Sequence, residues 1–239
     1  MTGPQDSEQE NDQQYGEATS RLINSVFDRG ITRAVLLMRH SAREYNAGIN
    51  DLLNPLTDPG RSYSRAFGRR LAKDIFVKGY ASPPERCVET GELVLDAHVA
   101  VNGNGQGVRP VEGLGVFYAI DQIKMWKGMK AAGGLSDYLA QWIEGQVPED
   151  AMLSPSYAAT TVMRLLKGKL DAPSDQKKQL DLCVSHDMTV LFIRHFFGLE
   201  PVDAEPIEYL DGLVLYRAEE ELVLESQHGR TCSIQLPSY

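Results

Sequence analysis

A chain of 239 residues is long enough for one elaborated domain with a sizeable core. Its apolar and charged fractions, 42% and 24%, are those of an ordinary globular protein rather than of a disordered or fibrous one. A formal net charge of −9 excludes a general nucleic-acid binder, which needs a basic face, yet leaves room for a local cluster of arginines around an anion.

The cysteines Cys87, Cys183 and Cys232 match neither a disulfide framework nor metal-ligand spacing, and no cofactor is expected. No stretch is long and apolar enough to span a bilayer, and no membrane partner is expected. The first residues show no basic n-region or apolar h-region, which makes cytoplasmic the expected localisation.

Residues 1–18 are rich in Gln, Glu, Asp, Ser and Gly and are read as a disordered acidic tail. Residues 19–239 are read as a single α/β domain. An amphipathic segment from Arg21 to Phe27 ends at Gly30, and then comes Ala34-Val-Leu-Leu-Met-Arg39-His40-Ser41-Ala-Arg43. A short apolar run of this kind predicts a buried strand. In open α/β sheets ligands bind beyond the carboxyl ends of strands, where Arg39, His40 and Arg43 are delivered. Guanidinium forks suit phosphate oxygens, and an imidazole nitrogen can attack phosphorus.

Asn46 to Asn54 reads as a polar loop. Leu56-Thr57-Asp58-Pro59-Gly60 opens a helix, capped by Thr57 or Asp58, with proline in the first turn. Tyr63, Ala66, Phe67 and Leu71 form its expected buried stripe; Arg61, Arg65, Arg69 and Arg70 form its solvated face. Ile75 to Ala81 predicts a second strand. Ser82 and Glu85 are spaced as a capping box for the next helix, whose first turn carries Arg86 toward the same crevice. That helix buries Val88, Leu93 and Leu95, and residues 102–107 are expected to be a flexible loop. Val108 to Val111, weakened by Pro110, predicts a short strand near an edge that delivers Glu112.

Residues 118–170 are read as a helical insertion over the site. Lys124, Lys127 and Lys130 lie on one face, taken as solvated rather than as a second anion site. After a polar linker, Leu180 to Ser185 predicts a third strand, ending at His186-Asp187, and a helix stopped by Gly198. Tyr209–Tyr216 and Leu222–Glu225 alternate as a closing hairpin. The expected class is a three-layer α/β/α fold with a mostly parallel central sheet.

Taken together, Leu-Met-Arg39-His40-Ser41, Leu56-Thr57-Asp-Pro-Gly60, Ala81-Ser82-Pro-Pro-Glu-Arg86-Cys-Val-Glu-Thr90, Val111-Glu112-Gly-Leu and Ser185-His186-Asp187 resemble the histidine phosphatase superfamily. That superfamily includes the phosphoglycerate mutases and the histidine acid phosphatases. The five pieces stand in its order and span roughly residues 34–200. The resemblance implies that His40 is a nucleophile forming a phosphohistidine, without a metal. It also implies that Arg39, Arg43, Arg86 and His186 hold the phosphoryl oxygens. For the proton donor it leaves two residues. The acid-phosphatase branch points to Asp187, which is ranked first, and the mutase-like branch to Glu112. Ser41 departs from the family's usual glycine.

The expected activity is therefore phosphomonoester hydrolysis on a small-molecule or peptide substrate, with phosphate- and vanadate-type anions as ligands. The alternatives are a mutase-like phosphotransferase, whose pocket must hold a second phosphate, and a phosphate-binding protein that has lost turnover. Substrate identity and oligomeric state are not legible in the sequence.

Overall fold

The computed structural model describes residues 15–46, 48, 49 and 51–236. In chain order the elements are α1 (Glu17–Asp28), β1 (Arg33–Arg39), α2 (Asp58–Arg70), β2 (Phe76–Ala81) and α3 (Glu85–Ala100). There follow β3 (Asn104–Pro110), α4 (Gln122–Ala132), α5 (Leu135–Ile143), α6 (Pro155–Leu170) and β4 (Gln179–Ser185). The chain closes with α7 (Asp187–Phe196), β5 (Gly212–Ala218), β6 (Glu221–Ser226) and β7 (Thr231–Ser233). Most of the tail expected over residues 1–18 lies outside the described residues; from Glu17 onward the chain is already helical.

One sheet of order β3-β2-β4-β1-β5-β6-β7 divides the molecule. Its β1, β2, β3 and β4 run parallel, and β5 to β7 are antiparallel. The central strands are covered on both faces, and the side-chain period of two sorts them between two cores. Val35 and Leu37 of β1 point into a core shared with α5, α6 and α7. Ala34, Leu36 and Met38 point into the other, shared with α1, α2 and α3. This is the three-layer arrangement expected, with the parallel part of the sheet at its centre.

Local chemistry fixes the elements that matter for the site. Thr57 caps α2 by accepting from the Gly60 N–H at 3.0 Å, and Pro59 lies in the first turn. Of the stripe expected on α2, Phe67 and Leu71 are buried and Tyr63 packs half-buried on the same core, and the small residues Gly60, Ser64 and Gly68 are buried as well. The reason is close helix packing, since a Cβ on Gly68 would stand 2.0 Å from the Val94 carbonyl oxygen of α3. The predicted capping box at α3 is corrected. Pro84 is the N-cap and no side chain caps the helix; the Ser82 hydroxyl is bonded elsewhere. Residues 104–107, expected in a flexible loop, belong to β3, which pairs with β2 alone at the edge of the sheet.

Of residues 118–170, α6 packs on the sheet against β1 and β5, while α4 and α5 pack on each other. Residues of α4 line a cavity at the carboxyl ends of the parallel strands. Among the described residues, no helix is long and apolar enough to cross a membrane.

Candidate active site

The two histidines meet because β1 and β4 are adjacent, parallel and in register, Arg39 opposite Ser185. The next residue on each strand is His40 and His186, and their rings stand 5.6 Å apart in an edge-on arrangement. Strand β2 lies on the other side of β4, with Ala81 opposite Val184, so Ser82 emerges beside them. The Ser82 hydroxyl lies 2.9 Å from Nε2 of His186. Ser82 thus positions the second histidine, a role hidden in the sequence by its capping-box spacing.

His40 is 3% exposed. Its Nδ1 lies 2.8 Å from the Ser41 carbonyl oxygen. A carbonyl can only accept, so Nδ1 carries the proton and the lone pair is left on Nε2. That nitrogen accepts from Nε of Arg86 at 3.1 Å. Burial pushes the His40 imidazole well below its ordinary 6.5, and the nearby His186 and Arg86 push the same way. His186 is lowered to about 4, mainly by burial and then by Arg86, with Asp187 opposing. Both rings are therefore neutral at pH 7, and a neutral imidazole is the form that attacks.

Arg86, in the first turn of α3, is buried with the rings. Its Nη1 donates to the Asp51 carbonyl at 2.8 Å, and its Nη2 lies 3.4 Å from the Asp51 carboxylate. Nη2 of Arg43 meets the other oxygen of the same carboxylate at 2.7 Å. Asp51 opens a short 3₁₀ turn, Asp51–Leu53, inside the segment expected to be a plain polar loop. It bridges the two arginines as an anion would. No motif announces such a residue, because its partners lie eight and thirty-five positions away along the chain.

Arg39 is turned differently. Its guanidinium contacts Asp187 at 3.0 Å, donates to the Ile207 carbonyl at 2.6 Å and stacks over the Tyr209 ring at 4.2 Å. Asp187 begins α7 and lines the cavity; Arg39 holds it and is not among the cavity-lining residues. Glu112 stands exposed at the start of a 3₁₀ turn, Glu112–Leu114, and does not line the cavity. The departure at Ser41 has a local explanation. Its hydroxyl is fully buried and donates to the Gly60 carbonyl at 2.7 Å, away from the cavity. Its N–H donates to Thr90 at 3.1 Å.

The cavity measures about 600 Å³. His40, Arg43, Asp51, Arg86, His186 and Asp187 supply its imidazoles and charges, and Asn46 and Gln122 add two neutral amides. Among the described residues, no group of three or more His, Cys, Asp or Glu side chains is placed to hold a metal ion. Arg61, near the loop in sequence, is committed to Glu89 at 2.6 Å. Cys87 lies 3.9 Å from His186, but burial raises its thiol to about 12, so it is a neutral packing group.

Comparison with known proteins gives a consistent picture. The family model described as histidine phosphatase superfamily (branch 1) matches residues 35–106. No curated protein sequence matches the chain. Among solved structures, the fold is similar to a phosphoglycerate mutase from Bacillus anthracis, with 16% identity and a TM-score of 0.52. That match covers 86% of this chain and 94% of the other. A phosphoserine phosphatase variant from Entamoeba histolytica, in complex with phosphoserine, matches at 17% identity and a TM-score of 0.51. It covers 81% of this chain and 95% of that one. A mycobacterial glucosyl-3-phosphoglycerate phosphatase matches at 14% identity and 0.52, over 84% of this chain and 97% of the other. The segment matched by the histidine phosphatase model holds the first strand, the His40 loop and the Arg86 helix, and the chain shares the overall fold of these solved structures.

Proposed function

We propose that the protein is a metal-independent phosphomonoester hydrolase working through a phosphohistidine on His40. The observation that supports this most is the Asp51 carboxylate. An anion already rests on Arg43 and Arg86, beside the unprotonated Nε2 of His40. A phosphoryl group taking its place meets those two guanidiniums, with His186 alongside. Catalysis of phosphoryl transfer is largely positioning and stabilisation of charge on the equatorial oxygens, and fixed cationic donors supply both.

In the first step the His40 Nε2 lone pair forms a bond to phosphorus as the ester P–O bond breaks. The departing alkoxide takes a proton from the Asp187 carboxyl. In the second step the Asp187 carboxylate takes a proton from water, whose oxygen attacks phosphorus while the P–N bond returns its electrons to His40. Asp187 suits this role because it lines the cavity; Glu112 does not.

Hydrolysis is favoured over a mutase reaction by where the lysines lie. A mutase needs cations for a second anionic group of the substrate. Lys124 is paired with Asp150, Lys127 and Lys130 are exposed, and none of the three lines the cavity. A phosphate binder without turnover is favoured only if Ser41 obstructs the site, and its hydroxyl is directed to Gly60 instead.

The test is labelling with radiolabelled p-nitrophenyl phosphate, quenched in alkaline detergent and then split between acid and base treatment. The wild type should show an acid-labile, base-stable phosphoenzyme, and His40→Ala should lose both the label and turnover. Label persisting in His40→Ala would place the nucleophile elsewhere.

A further inference from the structure

Exposed apolar side chains are ordinary when scattered. Here they gather. Of nine large apolar residues exposed among the described residues, five line the one cavity that holds His40: Tyr45, Ile49, Leu52, Ile123 and Trp126. The first three come from the segment between β1 and α2, the last two from α4, so two walls face each other across the opening. Met125, Met129 and Leu135 extend the apolar wall inward. Among the described residues, the charged side chains that line the cavity, Arg43, Asp51, Arg86 and Asp187, all belong to the cluster around His40. Ile123, Trp126 and Met129 follow one stripe of α4, and its lysines follow another.

We infer that the substrate is a small amphiphilic ester, the phosphomonoester of a bulky apolar alcohol. The inference rests on the phosphatase reading above and names the substrate class of that same site. A cavity of about 600 Å³ lies within the range of roughly 300–1,000 Å³ that encloses a drug-sized molecule. One end takes a dianion. The remainder offers no charge for a carboxylate or a second phosphate and only the amides of Asn46 and Gln122 for hydroxyls, and it offers an indole face and methionine side chains that adapt to an irregular hydrocarbon shape. A polar leaving group there would give up water for little beyond the amides of Asn46 and Gln122, whereas an apolar one covers the five exposed side chains.

The test is a series of n-alkyl phosphates from ethyl to octyl, whose leaving groups differ little in basicity, assayed for kcat/KM with glycerol phosphate and 3-phosphoglycerate alongside. Burial of each methylene is worth up to about fourfold, so octyl phosphate should exceed ethyl phosphate by at least about tenfold. The pair Ile123→Ser and Trp126→Ser should flatten the series. A flat series in the wild type, or a preference for glycerol phosphate or 3-phosphoglycerate, would overturn the inference while the hydrolase reading stood. A preference for a phosphotyrosyl peptide over octyl phosphate would also overturn it, in favour of a protein substrate. If no ester turns over, quenching of Trp126 fluorescence still decides: tighter binding of octyl than of ethyl phosphate upholds the apolar ligand and removes the hydrolase, and equal binding removes both.

Discussion

Asp51 shows how one side chain can set the resting state of a site. Its carboxylate meets Arg43 at 2.7 Å and Arg86 at 3.4 Å, and it is only about a quarter exposed, 27%. Charge-assisted hydrogen bonds of this kind are worth roughly 1.5–3 kcal/mol each, so an incoming phosphoryl group competes with a real partner. Asp51→Asn keeps the shape and removes the charge. It should tighten binding of phosphate and vanadate by about tenfold, or about 1.4 kcal/mol, read by inhibition or calorimetry; unchanged affinity would mean that the carboxylate does not compete. It should also lower the melting temperature in the absence of an anion, because two partly buried arginines lose their counter-charge. Asp187 makes a separate prediction. Asp187→Asn should slow alkyl phosphates far more than p-nitrophenyl phosphate, whose leaving group needs no proton. If Glu112→Gln does this instead, the donor is the residue outside the cavity and the loop carrying it must move.

At the scale of elements, the site depends on how tightly the first turn of α2 abuts the segment after His40. A Cβ on Gly60 would stand 2.1 Å from the Ala42 carbonyl oxygen, backbone against backbone, and the Gly60 carbonyl receives the Ser41 hydroxyl. Gly60→Ala should therefore displace Ser41 to Arg43, costing about 1–3 kcal/mol of stability together with a loss in kcat/KM of tenfold or more. Urea melts and steady-state assays would show both, and no change in either would mean that the contact relaxes without effect. The elements legible in the sequence were those with strong local punctuation. Strand β1 is an unbroken apolar run between its two arginines, β4 is apolar apart from Asp181 and its ends, α2 has its Thr57 cap and Pro59, and α7 is followed by Gly198 with φ +74°. What could not be read depended on partners distant in the chain. Strand β3 carries no apolar alternation because it is an edge strand with mostly exposed residues, held by its pairing with β2. Ser82 has a capping sequence but is at the end of a strand beside His186, and that bond prevails. Arg39 reads as one more phosphate ligand, yet Ile207, Tyr209 and Asp187 hold it to one side.

The same burial that keeps the two imidazoles neutral links the stability of the whole molecule to pH. In the unfolded chain both titrate near 6.5; in the folded protein His186 is lowered to about 4 and His40 lies well below its ordinary value. Above about pH 6.5 neither state is protonated and the histidines leave stability independent of pH. As the pH falls through 6.5 the unfolded chain takes up protons that the folded protein refuses, so stability declines, by up to about 1.4 kcal/mol per pH unit for each ring. The decline from His186 ends near pH 4, and that from His40 at its own folded value. The carboxylates of Asp74, Asp171 and Glu200, held below their ordinary range, lose their contribution only at lower pH still. Asp181 and Asp211, raised by burial, work in the opposite direction. Urea melts between pH 7.5 and 4.5 should therefore show stability falling below 6.5, and His186→Gln should reduce the slope by about half, as expected for one of two titrating groups. Phosphate or vanadate should flatten it further, since an anion beside both rings favours their protonated forms and raises their folded pKa values. A profile that stays level from pH 6.5 to 5 and does not respond to vanadate would mean that these rings take up protons in the fold as readily as in the unfolded chain, and that burial does not hold them neutral.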